Sequence, residues 1–138
     1  MPYQIVEHTA DIGIQATGRT PEELFEQMAE GMFSLIVPPE EVHPQITVSI
    51  QAQAQGQERL LVAWLRELLY LFDTERILGK SFKVRRLGEA RVQGTVSGEK
   101  LDLARHHVDK EVKAVTYCDL KVVRQEDGTW SAQVIFDI

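Results

Sequence analysis

Two aspartates at the ends of predicted strands are the first candidates for chemistry in this sequence. Asp11 begins the alternating segment DIGIQATG, and Asp137 and Ile138 end the alternating segment QVIFDI. If these segments are neighbours in a sheet, the side chains of Asp11 and Asp137 and the α-carboxylate of Ile138 converge. Carboxylates this close repel one another, and oxygen ligands suit a hard divalent cation such as Ca2+ or Mg2+. Exposed aspartates at strand ends are also common on surfaces that bind nothing, so spacing alone leaves both interpretations open.

The histidines and the single cysteine are the second group of candidates. Cys118 with His8, His106 or His107 as its base would form a nucleophilic pair, but Cys118 alternates with apolar residues, which predicts a buried structural thiol. His106 and His107 are adjacent and in a strand would point to opposite faces, so they are a poor pair of metal ligands. We expect them to be surface histidines. A lone cysteine also forms no internal disulfide and no cysteine-based zinc cluster.

Two helices are predicted to support these residues. Thr20 as N-cap, followed by Pro21 and Glu23, predicts the start of a helix whose apolar spacing continues to Ile36. A second helix is predicted over residues 57–78, where apolar residues cover almost every side, so it should be the more central of the two.

The strands are predicted from alternation of apolar and polar residues. Asp11 should point away from the apolar face of its strand, and Asp137 should lie on the outer side of the last strand, in line with Gln133 and Ile135. Asp127-Gly128 predicts a hairpin turn before that strand. The predicted strands cover residues 3–8, 11–18, 46–55, 81–88, 90–98, 111–123 and 130–138. This order predicts an α+β fold: one domain over residues 1–138, with an antiparallel-rich sheet and about two helices on one face.

Composition limits the class of protein. The chain has 138 residues, 43% of them apolar and 26% charged, which is ordinary for a globular domain. Its longest apolar run, Leu60 to Leu65, is far shorter than the roughly 20 residues of a membrane helix. The N-terminus lacks the pattern of a secretory signal, and we expect a cytoplasmic protein. The net charge of −6 argues against phosphate-driven nucleic-acid binding, and Lys83, Arg85 and Arg86 are interpreted as a solvated strand face.

Three ordered blocks resemble the archease family, the small protein cofactors of the RtcB-type RNA ligase. They are EHTADIGIQATGRTPEELFEQMAEGMFSLI, LLVAWLRELLYLFDTE, and EVKAVTYCDLKV followed by WSAQVIFDI. The resemblance implies a strand-helix-strand-strand type of domain with an inserted helical segment. It also implies a protein that is not itself an enzyme but activates the ligase, which takes GMP from GTP onto an active-site histidine with Mn2+. RNA would be reached only indirectly, through the ligase, in tRNA splicing and RNA repair.

The resemblance also implies site residues. Family members carry a divalent-cation site, usually with calcium, and the matching ligands here are Asp11, Asp137 and Ile138; Mg2+ or Mn2+ are alternatives. His8 and His106 match positions often occupied by histidine and are candidate contacts to the ligase. The family usually has histidine where this chain has Cys118, so a role for that histidine does not carry over.

Two other functions stay open. The same carboxylates, with His8 as general base, would suit a metal-dependent phosphoester hydrolase. A non-catalytic binding module that forms oligomers around a structural cation is the other alternative.

Overall fold

The computed structural model describes residues 2–7 and 10–138, and His8 lies outside this part of the chain. The helices and strands in chain order are β1 Tyr3–Glu7, β2 Asp11–Gly18, α1 Pro21–Ile36, β3 Ile46–Gln53, α2 Gln57–Glu75, β4 Ile77–Leu87, β5 Arg91–Lys100, β6 Ala114–Val115, β7 Lys121–Arg124 and β8 Trp130–Asp137. A 3-10 turn, Pro39–Glu41, follows α1. Neither long helix in the described ranges has the length and apolar character needed to cross a membrane.

The predicted α+β class is confirmed, but the strands divide into two antiparallel sheets. In the larger sheet the order is β1, β2, β8, β6, and β7 also pairs with β8. The smaller sheet has the order β3, β5, β4. The larger sheet therefore places β2 directly beside β8, which is the arrangement on which the predicted carboxylate site depends.

Helix α1 begins where its sequence predicts. The Thr20 hydroxyl accepts a hydrogen bond from the Glu23 N–H at 3.1 Å, and Pro21 is the first helical residue. One face of α1 is buried against the sheets. On α2, the fully buried Trp64 donates its ring N–H to the Phe25 carbonyl oxygen at 3.2 Å, which joins the two helices inside the core.

A side chain of α1 also closes one edge of the smaller sheet. The Glu26 carboxylate accepts a hydrogen bond from the Val84 N–H at 2.8 Å. Strand β4 is irregular here, with register shifts between Gly79 and Ser81 and between Val84 and Arg86. The edge N–H of Val84 is thus satisfied by a helix and not by another strand.

The predicted end of α2 was wrong by three residues. The helix stops at Glu75, and Ile77 and Leu78, expected as helical, belong to β4. The chain turns at Arg76, which has φ 58° and donates its N–H to the Phe72 carbonyl oxygen. This left-handed position usually carries glycine, so an arginine there gives no local stop signal.

The predicted strand over 111–123 was also wrong. Only Ala114–Val115 and Lys121–Arg124 pair with β8, and a turn between them contains Asp119 with φ 50°. The side chain of Cys118 lies in this turn and is exposed, so the prediction of a buried thiol is incorrect. The predicted strand is thus divided into two short strands by a turn that the alternation of residue types does not reveal.

The hairpin that leads into β8 matches its prediction. Gly128 has φ 89°, its N–H donates to the Gln125 carbonyl oxygen, and the Gln125 N–H donates to the Thr129 carbonyl oxygen. These bonds define a three-residue loop that needs a residue with positive φ at Gly128. The outer position predicted for Ile135 is only partly right: its strand partner is Gly13, and the Ile135 side chain packs over that glycine and is 8% exposed.

Candidate functional site

The main candidate site is a pair of aspartates on neighbouring strands, which we call the acidic pair. Asp11 on β2 and Asp137 on β8 are direct partners in the antiparallel register. Opposed residues in such pairs have Cα atoms about 4.5 to 5.5 Å apart and side chains on the same face of the sheet. Asp137 is exposed and Asp11 is partly buried. The two carboxylates predicted to converge are therefore neighbours at one end of the larger sheet, where β2 begins and β8 ends.

The end of β8 is held on both sides. The Ile138 N–H points to the Ala10 carbonyl oxygen at 3.4 Å, and the Lys113 N–H donates to the Asp137 carbonyl oxygen at 2.8 Å. Ala114 on β6 is the second register partner of Asp137. Because backbone hydrogen bonds reach this segment from two neighbours, Asp137 and Ile138 are ordered where a free strand end would fray.

The charge of the acidic pair is not balanced by the described part of the protein. Within residues 2–7 and 10–138 neither the Asp11 nor the Asp137 side chain makes a hydrogen bond or an ion pair. Two unit charges about 4 Å apart repel by roughly 1 kcal/mol in water and roughly 4 kcal/mol near a protein surface. A bound divalent cation would remove this repulsion, and the carboxylate oxygens with main-chain oxygen of Ile138 are the donors that Ca2+ and Mg2+ accept. Water would complete the coordination.

A cation at the acidic pair would need main-chain ligands as well as side chains. Among the described residues no group of three or more His, Cys, Asp or Glu side chains is arranged to hold a metal ion. A cation at the acidic pair would therefore depend on the main-chain oxygens of Ile138 in addition to the two aspartates.

An arginine that was not predicted from the sequence supports the strand next to Asp137. Arg66 on α2 donates hydrogen bonds to the Val115 carbonyl oxygen, and its guanidinium lies 4.6 Å from the centre of the Tyr117 ring. Val115 belongs to β6, the short strand beside Asp137. An exposed arginine on a helix carries no sequence signal for such a role, so only the fold reveals it.

His106 is buried, which contradicts the surface position predicted for it. Its imidazole is enclosed, Nδ1 accepts a hydrogen bond from the Asp102 N–H at 2.9 Å, and Nε2 lies 3.3 Å from a Glu99 oxygen. Because Nδ1 accepts, the ring proton belongs on Nε2, facing Glu99. His107 is exposed. A ligase contact through His106 stays a prediction that the burial of its ring does not favour, and His8 lies outside the described residues.

Glu99 is the centre of this buried polar network. Its carboxylate accepts a hydrogen bond from the His43 N–H at 2.5 Å, pairs with Arg105, and faces His106. Burial would by itself raise the pKa of Glu99, but the His43 N–H, Arg105 and His106 together outweigh it and lower that pKa to about 2. The network ties the loop after β5 to the loop before β3. Strand alternation places Glu99 on the outer face, so sequence reasoning missed it.

These features define a class of protein: a small α+β domain that presents paired carboxylates where its second strand begins and its last strand ends, side by side in one sheet. Comparison with known proteins identifies the family. Residues 3–138 match the model of the Archease protein family (MTH1598/TM1083), and the chain belongs to that family.

Individual relatives match over nearly their full length. The chain is 42% identical to the protein archease of Pyrococcus furiosus, covering 99% of this chain and 98% of that protein. It is 40% identical to the protein archease of Methanosarcina barkeri, with 99% and 95% covered. The solution structure of Methanobacterium thermoautotrophicum protein 1598 has 33% identity, a TM-score of 0.84, and 99% of each chain covered.

Proposed function

We propose that this protein activates an RtcB-type RNA ligase in the cytoplasm, by promoting transfer of GMP from GTP to the ligase histidine and by allowing repeated turnover. Membership of the archease family supports this function. The observation that carries it is the pairing of Asp11 with Asp137 where β2 begins and β8 ends, two carboxylates with no cationic partner among residues 2–7 and 10–138.

The acidic pair and Ile138 are proposed to bind a divalent cation, Ca2+ in the first place, with Mg2+ or Mn2+ as alternatives. The support is chemical: the available donors are all oxygens, and hard cations prefer them. When bound, the cation would supply positive charge that neutralises the pair. The protein's own residues hold that position, because the hydrogen bonds from Ile138 to Ala10 and from Lys113 to Asp137 fix both strand ends.

The acidic pair is proposed to act at the nucleotide site of the ligase. A ligase that holds RNA, GTP and Mn2+ presents positive charge around its active site, and carboxylates placed there orient a metal ion or the phosphates for in-line transfer. The net charge of −6 favours encounter with such a partner, since complementary charge raises association rates.

The test is guanylylation of a cognate ligase with labelled GTP, in the absence of RNA. Asp11→Asn and Asp137→Asn remove one charge each without changing side-chain size, and both are expected to reduce the stimulation given by the wild-type protein at least about tenfold, which corresponds to about 1.4 kcal/mol. Glu126→Gln is the matched control, because Glu126 is exposed in the hairpin loop at the opposite end of β8. Full stimulation by the Asp137→Asn variant would overturn the proposal.

Two further readouts separate the alternatives. Turnover of phosphoesters by the purified protein without a partner would identify a hydrolase. Loss of thermal stability on chelation, with stimulation of the ligase unchanged, would identify a structural cation in a binding module.

A further inference from the structure

Most charged residues of the smaller sheet are basic. Its three strands, β3, β4 and β5, contain six Lys or Arg residues and a single acid, Glu99. Glu99 is buried and paired with Arg105, so it offers no negative charge at the surface. In a chain with net charge −6, this sheet is therefore a positive region and the remainder of the protein is strongly negative.

Four of these basic side chains form what we call the basic face: Lys83, Arg85 and Arg86 on β4, and Arg91 on β5. All four are exposed. Within the described part of the chain none of them makes a side-chain hydrogen bond, an ion pair or a ring contact. Their charges are therefore solvated and not neutralised by another group of the described chain.

Hydroxyl and amide groups lie between the cations. Register places Thr95 on β5 between Ser49 on β3 and Lys83 on β4, and the next outward positions are Gln51 and Gln93, which share a hydrogen bond at 3.3 Å. Ser49, Gln51, Arg85, Gln93 and Thr95 line a shallow groove on this face. The strand dimensions give an area about 25 Å long and about 10 Å wide.

This composition is suited to contacts with phosphate groups. Arginine forks and hydroxyl or amide donors are the groups that contact nucleic-acid phosphates. The aromatic residue of β4, Phe82, points into the core and is 6% exposed, and β3 and β5 contain no aromatic residue, so these strands offer no stacking platform of the kind that unpaired bases require. A polar sheet face with exposed cations suits the backbone of a double helix.

We infer that the basic face binds the phosphate backbone of double-stranded RNA without reading its sequence. The choice of RNA over DNA rests on the proposed function, in which the partner enzyme works on RNA. Contact with RNA is then direct, in addition to contact through the ligase. Because the acidic pair belongs to the other sheet, in the negative part of the chain, the charge asymmetry would orient the protein with its basic face toward the RNA.

The test is fluorescence anisotropy of a short labelled RNA duplex of mixed sequence, titrated with the full-length protein from about 50 to about 200 mM salt. Wild-type protein is expected to bind saturably, with log affinity falling linearly with log salt. The basic-face variant carries four substitutions, Lys83→Gln, Arg85→Gln, Arg86→Gln and Arg91→Gln. It is expected to bind the duplex at least about tenfold more weakly. The slope of log affinity against log salt should flatten by about 0.9 for each phosphate that the variant no longer neutralises.

A matched control removes the same number of charges elsewhere. This control variant replaces four exposed basic residues outside β3, β4 and β5: Arg19→Gln, Arg59→Gln, Lys121→Gln and Arg124→Gln. It should keep most of the duplex affinity. Circular dichroism confirms that both variants fold. Equal weakening in both variants, or no saturable binding by the wild-type protein, would overturn the inference.

Two outcomes separate RNA binding from other roles of this face. If the basic-face variant keeps its RNA affinity but no longer associates with the ligase, the face docks an acidic protein surface and the RNA assignment is wrong. Guanylylation without RNA tests the proposed function separately. If Asp137→Asn still stimulates the ligase fully and the wild-type protein binds the duplex, the proposed function is wrong and the RNA-binding role of the basic face is retained.

Discussion

The Arg66 guanidinium donates two hydrogen bonds, at 2.9 and 3.2 Å, to the carbonyl oxygen of Val115. This contact attaches β6 to α2, and β6 in turn flanks Asp137. Arg66→Ala is expected to lower the free energy of unfolding by about 1 kcal/mol, since hydrogen bonds from an exposed charged group are partly replaced by water. Urea denaturation measures the change. Arg59→Ala, an exposed arginine two turns earlier on the same helix, should change stability by less than half as much, and equal changes would remove the anchoring role of Arg66.

Calcium is expected to stabilise the protein through the acidic pair. At a free concentration of about 100 times the dissociation constant, a ligand of the folded state alone adds about 2.7 kcal/mol to the free energy of unfolding. Thermal unfolding with calcium and with a chelator tests this. Asp11→Asn and Asp137→Asn should abolish the shift, whereas Glu126→Gln should keep it. A calcium shift of equal size in the Asp137→Asn variant would assign the ion to another place.

The Glu99 network makes stability depend on acid pH. The pKa of Glu99 is about 2 in the folded protein against 4.5 for the free group, so its contribution is complete above pH 4.5 and is lost as pH falls toward 2. Glu99→Gln is expected to cost roughly 1.5 to 3 kcal/mol at neutral pH, because the hydrogen bonds from the His43 N–H and Arg105 lose a charged acceptor. Unfolding measured from pH 7 to pH 2 should show the difference between variant and wild type shrinking below pH 4.5. A difference that does not change over this range would contradict the assigned pKa.

Cys118 is expected to react readily in the native protein. Its thiol is exposed in the turn between β6 and β7, so a disulfide reagent should label it at a rate close to that of the unfolded chain. Labelling that begins only when denaturant is added would show that the thiol is covered.

The predictability of each feature from sequence follows from the range of the interactions that produce it. The cap at Thr20 and the turn at Gly128 depend on a few adjacent residues, and both were predicted. Asp11 and Asp137 were predicted as outward residues of their strands because alternation is local, and their direct pairing required only that β2 and β8 be neighbours.

The failures have the opposite origin. Arg76 and Asp119 occupy left-handed conformations without the glycine that normally indicates them; Arg76 ends α2, and Asp119 lies in the turn that separates β6 from β7. His106 is buried where the fold brings the Asp102 N–H to its Nδ1 and places a Glu99 oxygen 3.3 Å from its Nε2. No pattern along the chain distinguishes such a histidine from an exposed one.

The hydrogen bond from Val84 to Glu26 has a consequence for solubility. An outermost strand with unpaired amides is a template onto which a second molecule can add its own strand, and repeated addition leads to fibrils. On β4 a carboxylate already occupies one of those amides and two irregularities bend the strand, so an incoming chain finds neither a free donor at that position nor a straight partner. Helix α1, which packs in the core, thereby also hinders the addition of a second molecule along β4.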